Sequence, residues 1–120
     1  MTTPSRIQCK RVYDPPENDD GYRVLVDHMW PRGMRKEDLH ADAWRKDLAP
    51  SKELRQWFGH DPKRWAAFYQ KYHAELRDRS EAVNALLDNS GQRTLTLLYA
   101  ARDTEHNNAV ALKMYLQARR

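Results

Sequence analysis

The stretch Arg93–Leu116 reads RTLTLLYAARDTEHNNAVALKMYL, and it decides the fold. Its first half contains a nearly unbroken apolar run, Leu95–Ala100. A strand that is covered on both faces has this pattern, because helices packed above and below exclude water from alternate side chains alike. In the second half the apolar residues recur at helical spacing, at Ala109, Leu112 and Leu116. The stretch therefore predicts a buried strand over Thr94–Ala100 that is followed by a helix.

Seven polar residues separate this strand from the helix, namely Arg102, Asp103, Thr104, Glu105, His106, Asn107 and Asn108. In an open α/β sheet, ligands bind just beyond the carboxyl ends of the strands. We therefore expect any active or binding site to include this loop.

Two further strands are predicted upstream, at Ile7–Tyr13 and at Tyr22–Asp27, where β-branched and apolar residues concentrate. The order strand, strand, several helices, strand, helix predicts one small α/β domain over residues 1–120, with a mostly parallel sheet and helices packed on it. Because helices lie between the Tyr22 and Thr94 strands, we expect these two strands to pair in parallel through a right-handed crossover.

The intervening helices are predicted from capping residues and apolar spacing. Ser51 can cap a helix, Asp61 and Pro62 can begin the longest one, and Ser80 can cap a third. A shorter helix is expected at Arg35–His40, whereas 41–48 has no clear pattern. The side chains predicted to face inward are Leu54, Trp57, Phe58, Trp65, Phe68, Tyr69, Tyr72, Leu76, Val83, Leu86 and Leu87. The aromatic set is better explained as core than as a base-stacking platform, and the acidic turn Glu17–Gly21 as a solvated loop.

Composition limits the class of protein. The 120 residues include 21 Lys and Arg against 17 Asp and Glu, a net charge of +4 that permits an anionic partner without requiring one. A single cysteine, Cys9, excludes an internal disulfide and favours a reducing compartment. No apolar run is long enough to cross a bilayer, and Met1–Pro4 is too short for a signal peptide. We therefore expect a cytoplasmic protein without a membrane partner.

Motifs along almost the whole chain resemble one protein family. The matching segments are Lys10-Arg-Val-Tyr-Asp-Pro-Pro, Gly21-Tyr-Arg-Val-Leu-Val-Asp, Trp30-Pro-Arg-Gly, Leu48-Ala-Pro-Ser, Trp57-Phe-Gly-His-Asp-Pro, Trp65 through Leu76, Leu97-Leu-Tyr-Ala-Ala-Arg-Asp and His106-Asn-Asn-Ala. They resemble the YeaO-like branch of the bacterial domain-of-unknown-function family 488. The resemblance implies a compact α/β domain and, by analogy with a related branch, a strand-end site for nucleotides or nucleic acids. The family usually has Arg where His28 stands here, which bears on any role that needs a charge there.

Two groups of polar residues follow the Tyr22 and Thr94 strands. If these strands are adjacent and parallel, both groups emerge at one edge of the sheet and form an anion-binding cleft, since Arg offers a planar fork of donors and a helix start offers free N–H groups. The binding residues predicted for this cleft are Asp27, Trp30, Arg32, Arg35, Arg102, Asn107 and Asn108. In the alternative interpretation, Arg32 pairs with Asp27 or Asp103, and Asn107 or Thr104 only caps the helix.

Asp103 and His106 are the candidates for catalysis, because a carboxylate and an imidazole beside the cleft could transfer protons. The alternative is that His106 is a hydrogen-bonded residue at the helix start. Asp27, His28, Asp103 and His106 include groups that bind metals, but they lack a recognised metal spacing, so we assign no metal and leave the cofactor unknown. Cys9 fits a buried, inert thiol better than a nucleophile.

Two functions remain open from the sequence. The first is a small enzyme or ligand-binding domain for an anionic small molecule, with a nucleotide as one candidate. The second is a non-enzymatic nucleic-acid-binding or regulatory module that uses the basic surface, although the scattered Lys and Arg residues support it weakly. Steep salt dependence across unrelated nucleic acids would favour the second function. The sequence leaves the oligomeric state unknown.

Overall fold

The computed structural model describes residues 3–119. Its centre is a sheet of four parallel strands in the order β1-β4-β2-β3. The strands are β1 (Arg6–Arg11), β2 (Tyr22–Leu25), β3 (Ala43–Trp44) and β4 (Thr94–Tyr99). The helices are α1 (Lys36–Leu39), α2 (Lys52–Phe58), α3 (Trp65–Arg77), α4 (Ser80–Ser90) and α5 (Asn108–Ala118). The predicted α/β class is confirmed, and the short segment that had no clear pattern contains β3.

Strand β4 lies in the middle of the sheet, as its apolar run indicates. It pairs in parallel with β1 on one side and with β2 on the other, so that Leu97 stands beside both Cys9 and Val24. Its residues from Leu95 to Tyr99 are all buried. The parallel pairing of β2 with β4 is therefore confirmed, and their carboxyl ends meet at one edge.

The larger core lies between the sheet and helices α2 to α5. Apolar side chains of β4 and β2 pack there against Phe68, Tyr72 and Leu76 of α3 and against Leu112 and Leu116 of α5. The Ser51 hydroxyl accepts the Leu54 N–H at 3.2 Å and so caps α2 as predicted. Val83, Leu86 and Leu87 of α4 face inward, which is also confirmed.

The opposite face of the sheet is not covered by long helices, which the apolar run of β4 had suggested. Loops and the single turn of α1 cover it, where long helices on both faces were expected. A small apolar cluster of Val12, Leu25, Leu39 and Leu98 lies beneath them. Trp30 and Trp44 border this cluster with their rings 5.3 Å apart, edge to face. The sheet thus has one thick and one thin covering layer.

A buried charge network, formed by Lys10, Asp20 and Arg23, occupies the rest of the thin layer. The solvated-loop interpretation of Glu17–Gly21 is wrong for Asp20, which is 1% exposed. Its carboxylate binds the guanidinium of Arg23 and lies 3.2 Å from the Lys10 ammonium. Burial alone would raise the pKa of Asp20, but hydrogen bonds from the Glu17 backbone, Lys10 and Arg23 outweigh it and hold the pKa below its ordinary value.

The remaining donors of Arg23 bind the backbone of α1. Its Nε donates to the His40 carbonyl at 3.0 Å and its Nη2 to the Leu39 carbonyl at 2.7 Å. His40 has φ 54°, the left-handed conformation that ends α1. Gly21, at φ 65°, passes so close to the Thr94 carbonyl that a Cβ would collide with it. These contacts fix the thin layer to the start of β2.

Three predictions about helix boundaries and faces need correction. Trp57 is 38% exposed, since Phe58 takes the inward position on the short α2 and Trp57 instead lies against the cations of Arg64 and Lys71. Trp65 is only half-buried because it is the first residue of α3, at the margin of the core. Asp61 caps a 3-10 turn, Pro62–Arg64, that precedes α3.

The predicted N-cap at Ser80 is also wrong. Arg79 occupies the cap position of α4, and Ser80 is the first helical residue.

Among residues 3–119, no helix is long and apolar enough to cross a membrane. Cys9 is partly buried in β1, and burial raises the pKa of its thiol to about 11, an effect that the nearby Lys113 offsets only in part. A thiol with a raised pKa is a poor nucleophile, in line with the inert interpretation.

Candidate functional site

The chain separates at the carboxyl ends of β2 and β4. After β2 it crosses to α1 on the thin layer, whereas after β4 it crosses to α5 on the thick layer. Strand order changes direction at this point, and such a switch point leaves a crevice between the two diverging loops. A cleft of about 590 Å³, the strand-end cleft, opens there. Its size suits a small organic ligand.

Short polar contacts hold the edge of this cleft together. The Ala100 N–H donates to the Asp27 carboxylate at 2.9 Å, which joins the end of β4 to the end of β2. The Asn108 amide donates to the Val26 carbonyl at 2.9 Å, and Asn107 caps α5 by accepting the Val110 N–H at 2.9 Å. Both amides therefore position the start of α5, as the alternative interpretation of Asn107 proposed.

Asp27 is the carboxylate that lines the cleft. Burial raises the pKa of this carboxyl group, while hydrogen bonds from the Ala100 backbone and Asn108 and the charge of His60 offset the rise only in part. The ionised form of Asp27 is therefore destabilised by burial. A nearby positive charge would relieve this cost.

Two arginines and two histidines line the cleft together with this carboxylate. Arg32, Arg55, His28 and His60 all line the cleft. Within residues 3–119, neither arginine has a carboxylate within ion-pair distance, so the proposed pairing of Arg32 with Asp27 or Asp103 does not occur. Arg32 is exposed, and Arg55 is half-buried with its Nε bound to the Pro50 carbonyl at 3.1 Å.

His60 reaches the cleft through an uncommon backbone. Gly59 and His60 have φ 52° and 57°, two successive left-handed residues that end α2 and reverse the chain. Left-handed φ in a non-glycine residue is uncommon and often occurs at binding sites. The conformation brings an imidazole to the cleft beside Phe58, with ring centroids 6.2 Å apart.

Apolar side chains form the other part of the lining. Phe58 and Phe68 stack at 4.1 Å and are both buried. Met29 and Tyr13, also in the lining, are 71% and 46% exposed. The cleft therefore offers both positive charge and apolar contact area, the combination that a small anion with a ring system would use.

The structure brings together five of the nine residues predicted for the site. Asp27, Trp30, Arg32, Asn107 and Asn108 line the cleft. Trp30 is held there by its indole N–H, which donates to the Met34 carbonyl at 2.6 Å. Their contribution to ligand binding stays a prediction.

The other four predicted residues do not line the cleft. Arg35 is exposed and pairs with Asp38 at 3.0 Å, and Arg102 is exposed. Asp103 accepts the N–H groups of Glu105 and His106 and the His106 ring nitrogen, at 2.9, 3.0 and 2.9 Å. These bonds, that of Glu105 first, lower the pKa of Asp103.

The Asp103–His106 pair thus forms a tight turn before α5. The His106 ring also packs edge to face against Trp65, with centroids 5.3 Å apart. This arrangement matches the hydrogen-bonded helix-start alternative for His106. A proton-transfer role for the pair stays a prediction. The Asp103 carboxylate already accepts hydrogen bonds from Glu105 and His106 within the turn.

Sequence reasoning missed several lining residues, above all Arg55. It lies on α2, far along the chain from both strand ends, and nothing in its local pattern indicates that α2 packs beside the switch point. His60 was recognisable only as a residue near a helix end. The glycine that precedes it, following an apolar helix, was the one local signal for an unusual backbone.

The strand topology and the helices define a small parallel α/β domain with a cleft at its switch point. The chain belongs to the DUF488 family, because a family model described as "Inactive DUF488-N3 subclade" matches residues 6–120. It is 46% identical to the uncharacterized protein YeaO of Escherichia coli K12 over 112 residues, 93% of this chain and 97% of that protein.

Two mycobacterial proteins are also similar to this chain over almost its whole length. The uncharacterized proteins Mb3100c of Mycobacterium bovis and Rv3073c of Mycobacterium tuberculosis H37Rv are each 41% identical over 119 residues, 99% of this chain and 100% of each relative. No solved structure matches the chain significantly. The relatives confirm the predicted family membership.

Proposed function

We propose that this protein binds an anionic small molecule of nucleotide size in the strand-end cleft, without converting it. The observation that carries the proposal is the charge imbalance of the cleft, in which two arginines accompany one carboxylate among the described lining residues. Arginines without carboxylate partners at a switch point are available to an anion, and their planar donors suit phosphate or carboxylate.

Binding is favoured over catalysis for two reasons. The matching family model is described as inactive. The pair predicted for proton transfer, Asp103 and His106, lies outside the cleft lining, and the Asp103 carboxylate binds the His106 Nδ1 and two backbone N–H groups of the turn before α5. Among the described lining residues, Asp27 is the only carboxylate, and it accepts the Ala100 N–H.

The apolar lining supports a ligand with a ring system. Phe58, Phe68, Met29 and Tyr13 provide contact area beside the arginines, which a bare inorganic anion would leave unused. A nucleoside monophosphate combines the two chemistries, and it serves as the probe for the class.

Calorimetric titration tests the proposal with adenosine 5′-monophosphate and with adenosine, which lacks the anion. We expect saturable binding of the monophosphate at ordinary salt, at least about tenfold or 1.4 kcal/mol tighter than adenosine, because adenosine lacks the phosphate that the arginines would bind. Equal affinities would contradict an anion site. Chromatography of the mixture after incubation should return the monophosphate unchanged, and conversion would instead indicate an enzyme.

The nucleic-acid alternative gives a different result in the same assay. A module of that class would bind unrelated single strands better than the monophosphate, and its affinity would fall steeply with salt. We expect weaker dependence on salt for a ligand held by the few charges of the cleft.

A further inference from the structure

A second cavity of about 470 Å³ opens beside the strand-end cleft. The two cavities share three lining residues, His28, Pro50 and Arg55. Because the same three residues border both, the two cavities are direct neighbours.

The acidic and basic groups of this second cavity are unequally engaged. Asp47, the one carboxylate among the described residues of its lining, is bound by Arg45 at 2.9 Å, and this hydrogen bond lowers the pKa of Asp47 despite partial burial. Arg79 is also engaged, donating to the carbonyls of Asp47 and Ala49 and lying 3.7 Å from Glu75. These groups hold the wall of the cavity.

Two lysines remain without such partners. Within residues 3–119, no carboxylate lies within ion-pair distance of Lys46 or Lys52. The Lys46 ammonium stands 4.2 Å from the centre of the Trp44 ring, a cation–π contact that fixes its position. The lining of the cavity therefore includes two lysines that no carboxylate among the described residues neutralises.

Arg55 connects the two sites. Its Nε is fixed by the Pro50 carbonyl at 3.1 Å, and no carboxylate among the described residues pairs with its guanidinium. A guanidinium has donors along two edges, so it can bind one anionic oxygen on each side. Arg55 lines both cavities, so its guanidinium is available to an anion in either one.

We infer that the ligand carries two separate anionic groups, one held in the strand-end cleft by Arg32 and one in the second cavity by Lys46 and Lys52, with Arg55 between them. This inference rests on the proposed anion-binding function and names its ligand class. Phosphates on opposite sides of a ribose, as in a nucleoside 3′,5′-bisphosphate, have this chemistry.

The test compares three probes by calorimetry on the wild-type protein. We expect adenosine 3′,5′-bisphosphate to bind at least about tenfold tighter than the 5′-monophosphate, a gain of about 1.4 kcal/mol. Adenosine 5′-diphosphate, whose phosphates are adjacent, should gain less. An equal gain for the diphosphate, or no gain for the bisphosphate, would overturn the two-site inference while leaving the cleft itself intact.

A double variant, Lys46→Gln with Lys52→Gln, locates the second group. It should remove the advantage of the bisphosphate and leave the affinity for the monophosphate within about twofold, because both lysines lie outside the cleft lining. The matched control is Lys36→Gln with Lys63→Gln, which removes the same charge at exposed positions that line neither cavity.

The outcomes separate the two proposals. Equal losses in the double variant and the control would overturn the second site, because net charge alone would then explain the effect. If no probe binds the wild type, both the proposed function and this inference fail. Lys52→Gln alone repeats the test without disturbing the Lys46–Trp44 contact, and it should remove part of the bisphosphate advantage.

Discussion

Arg23 and Arg32 belong to consecutive segments of the chain but have opposite electrostatic surroundings. Arg23, 4% exposed, lies in the buried charge network and binds Asp20 together with two backbone carbonyls of the α1 region. Arg32 is exposed in the strand-end cleft, where within the described residues no carboxylate pairs with it. The first arginine holds the thin layer onto the sheet, and the second is available to a ligand.

The physical reason for this difference is desolvation. A buried guanidinium must recover in protein contacts what it loses in hydration, or the fold is destabilised. Accordingly, no buried side-chain nitrogen or oxygen within residues 3–119 lacks a hydrogen-bond partner. An exposed guanidinium stays hydrated, so it can lack a protein partner without destabilising the fold. Its donors then remain available to a ligand.

The largest expected effect comes from removing the centre of the buried charge network. Asp20→Ala should lower the free energy of unfolding by about 3–5 kcal/mol, since it leaves the Arg23 guanidinium buried without its counter-ion. Denaturant unfolding measures the loss. Asp19→Ala, the exposed neighbour, is the control and should change stability by less than about 0.5 kcal/mol. Similar losses in both variants would mean that the network contributes nothing specific.

The same network predicts a dependence on pH. The pKa of Asp20 is lowered in the folded state, so the stabilisation is fully present above the ordinary value of 3.8 and is lost as pH falls through the lowered pKa. The stability difference between wild type and Asp20→Ala should therefore shrink on acidification. A difference that grows below pH 4 would contradict the sign.

The next largest effect is expected on ligand affinity, when Arg32 of the strand-end cleft is removed. Arg32→Ala should weaken binding of adenosine 5′-monophosphate more than tenfold, about 1.4 kcal/mol, with the melting temperature unchanged. Arg35→Ala is the matched control, because Arg35 is equally exposed but pairs with Asp38 outside the cleft. A destabilised Arg32 variant with unaltered affinity would remove Arg32 from the site and show that it anchors its loop.

A smaller effect of opposite sign is expected at Asp27. Asp27→Asn keeps an acceptor for the Ala100 N–H and removes a negative charge from the cleft, so anion affinity should rise roughly threefold at neutral pH. Calorimetric titration of the monophosphate into both proteins measures this gain. Weaker anion binding by the variant would indicate that the carboxylate itself contacts the ligand.

The raised pKa of Asp27 also fixes the pH dependence of stability. Its protonation stabilises the fold fully below the ordinary value of 3.8, and this contribution is lost as pH rises through the raised folded pKa. Relative to Asp27→Asn, the wild type should thus lose stability from about pH 4 upward. Unfolding curves at several pH values test this, and parallel profiles for the two proteins would contradict it.

The smallest effect is expected at the pair predicted for catalysis. His106→Gln should change monophosphate affinity by less than about twofold, since its ring packs against Trp65 and bonds Asp103 outside the cleft lining. Titration of this variant beside Arg32→Ala gives the contrast directly. A tenfold loss at His106 would return the Asp103–His106 pair to the site.

The sequence by itself determined the framework and one edge of the site. The apolar run of β4 specified a strand covered on both faces, because alternate side chains that are all apolar must be shielded from water above and below the sheet. Ser51 marked a helix start, since its side chain satisfies an N–H group that a helix leaves free, whereas the sequence left Asn107 and Thr104 as alternative caps for α5. The common direction of β2 and β4 then placed Asp27, Arg32 and Asn108 near one another.

The tertiary structure alone decided the rest, because burial and pairing depend on contacts between distant segments. Asp20 lies in an acidic stretch that resembles a solvated loop, yet Lys10 and Arg23 make it the centre of a buried network. Arg55 lines the cleft only because α2 packs beside the switch point. Local patterns report which face of an element is apolar, but they do not encode which charged groups meet across the fold.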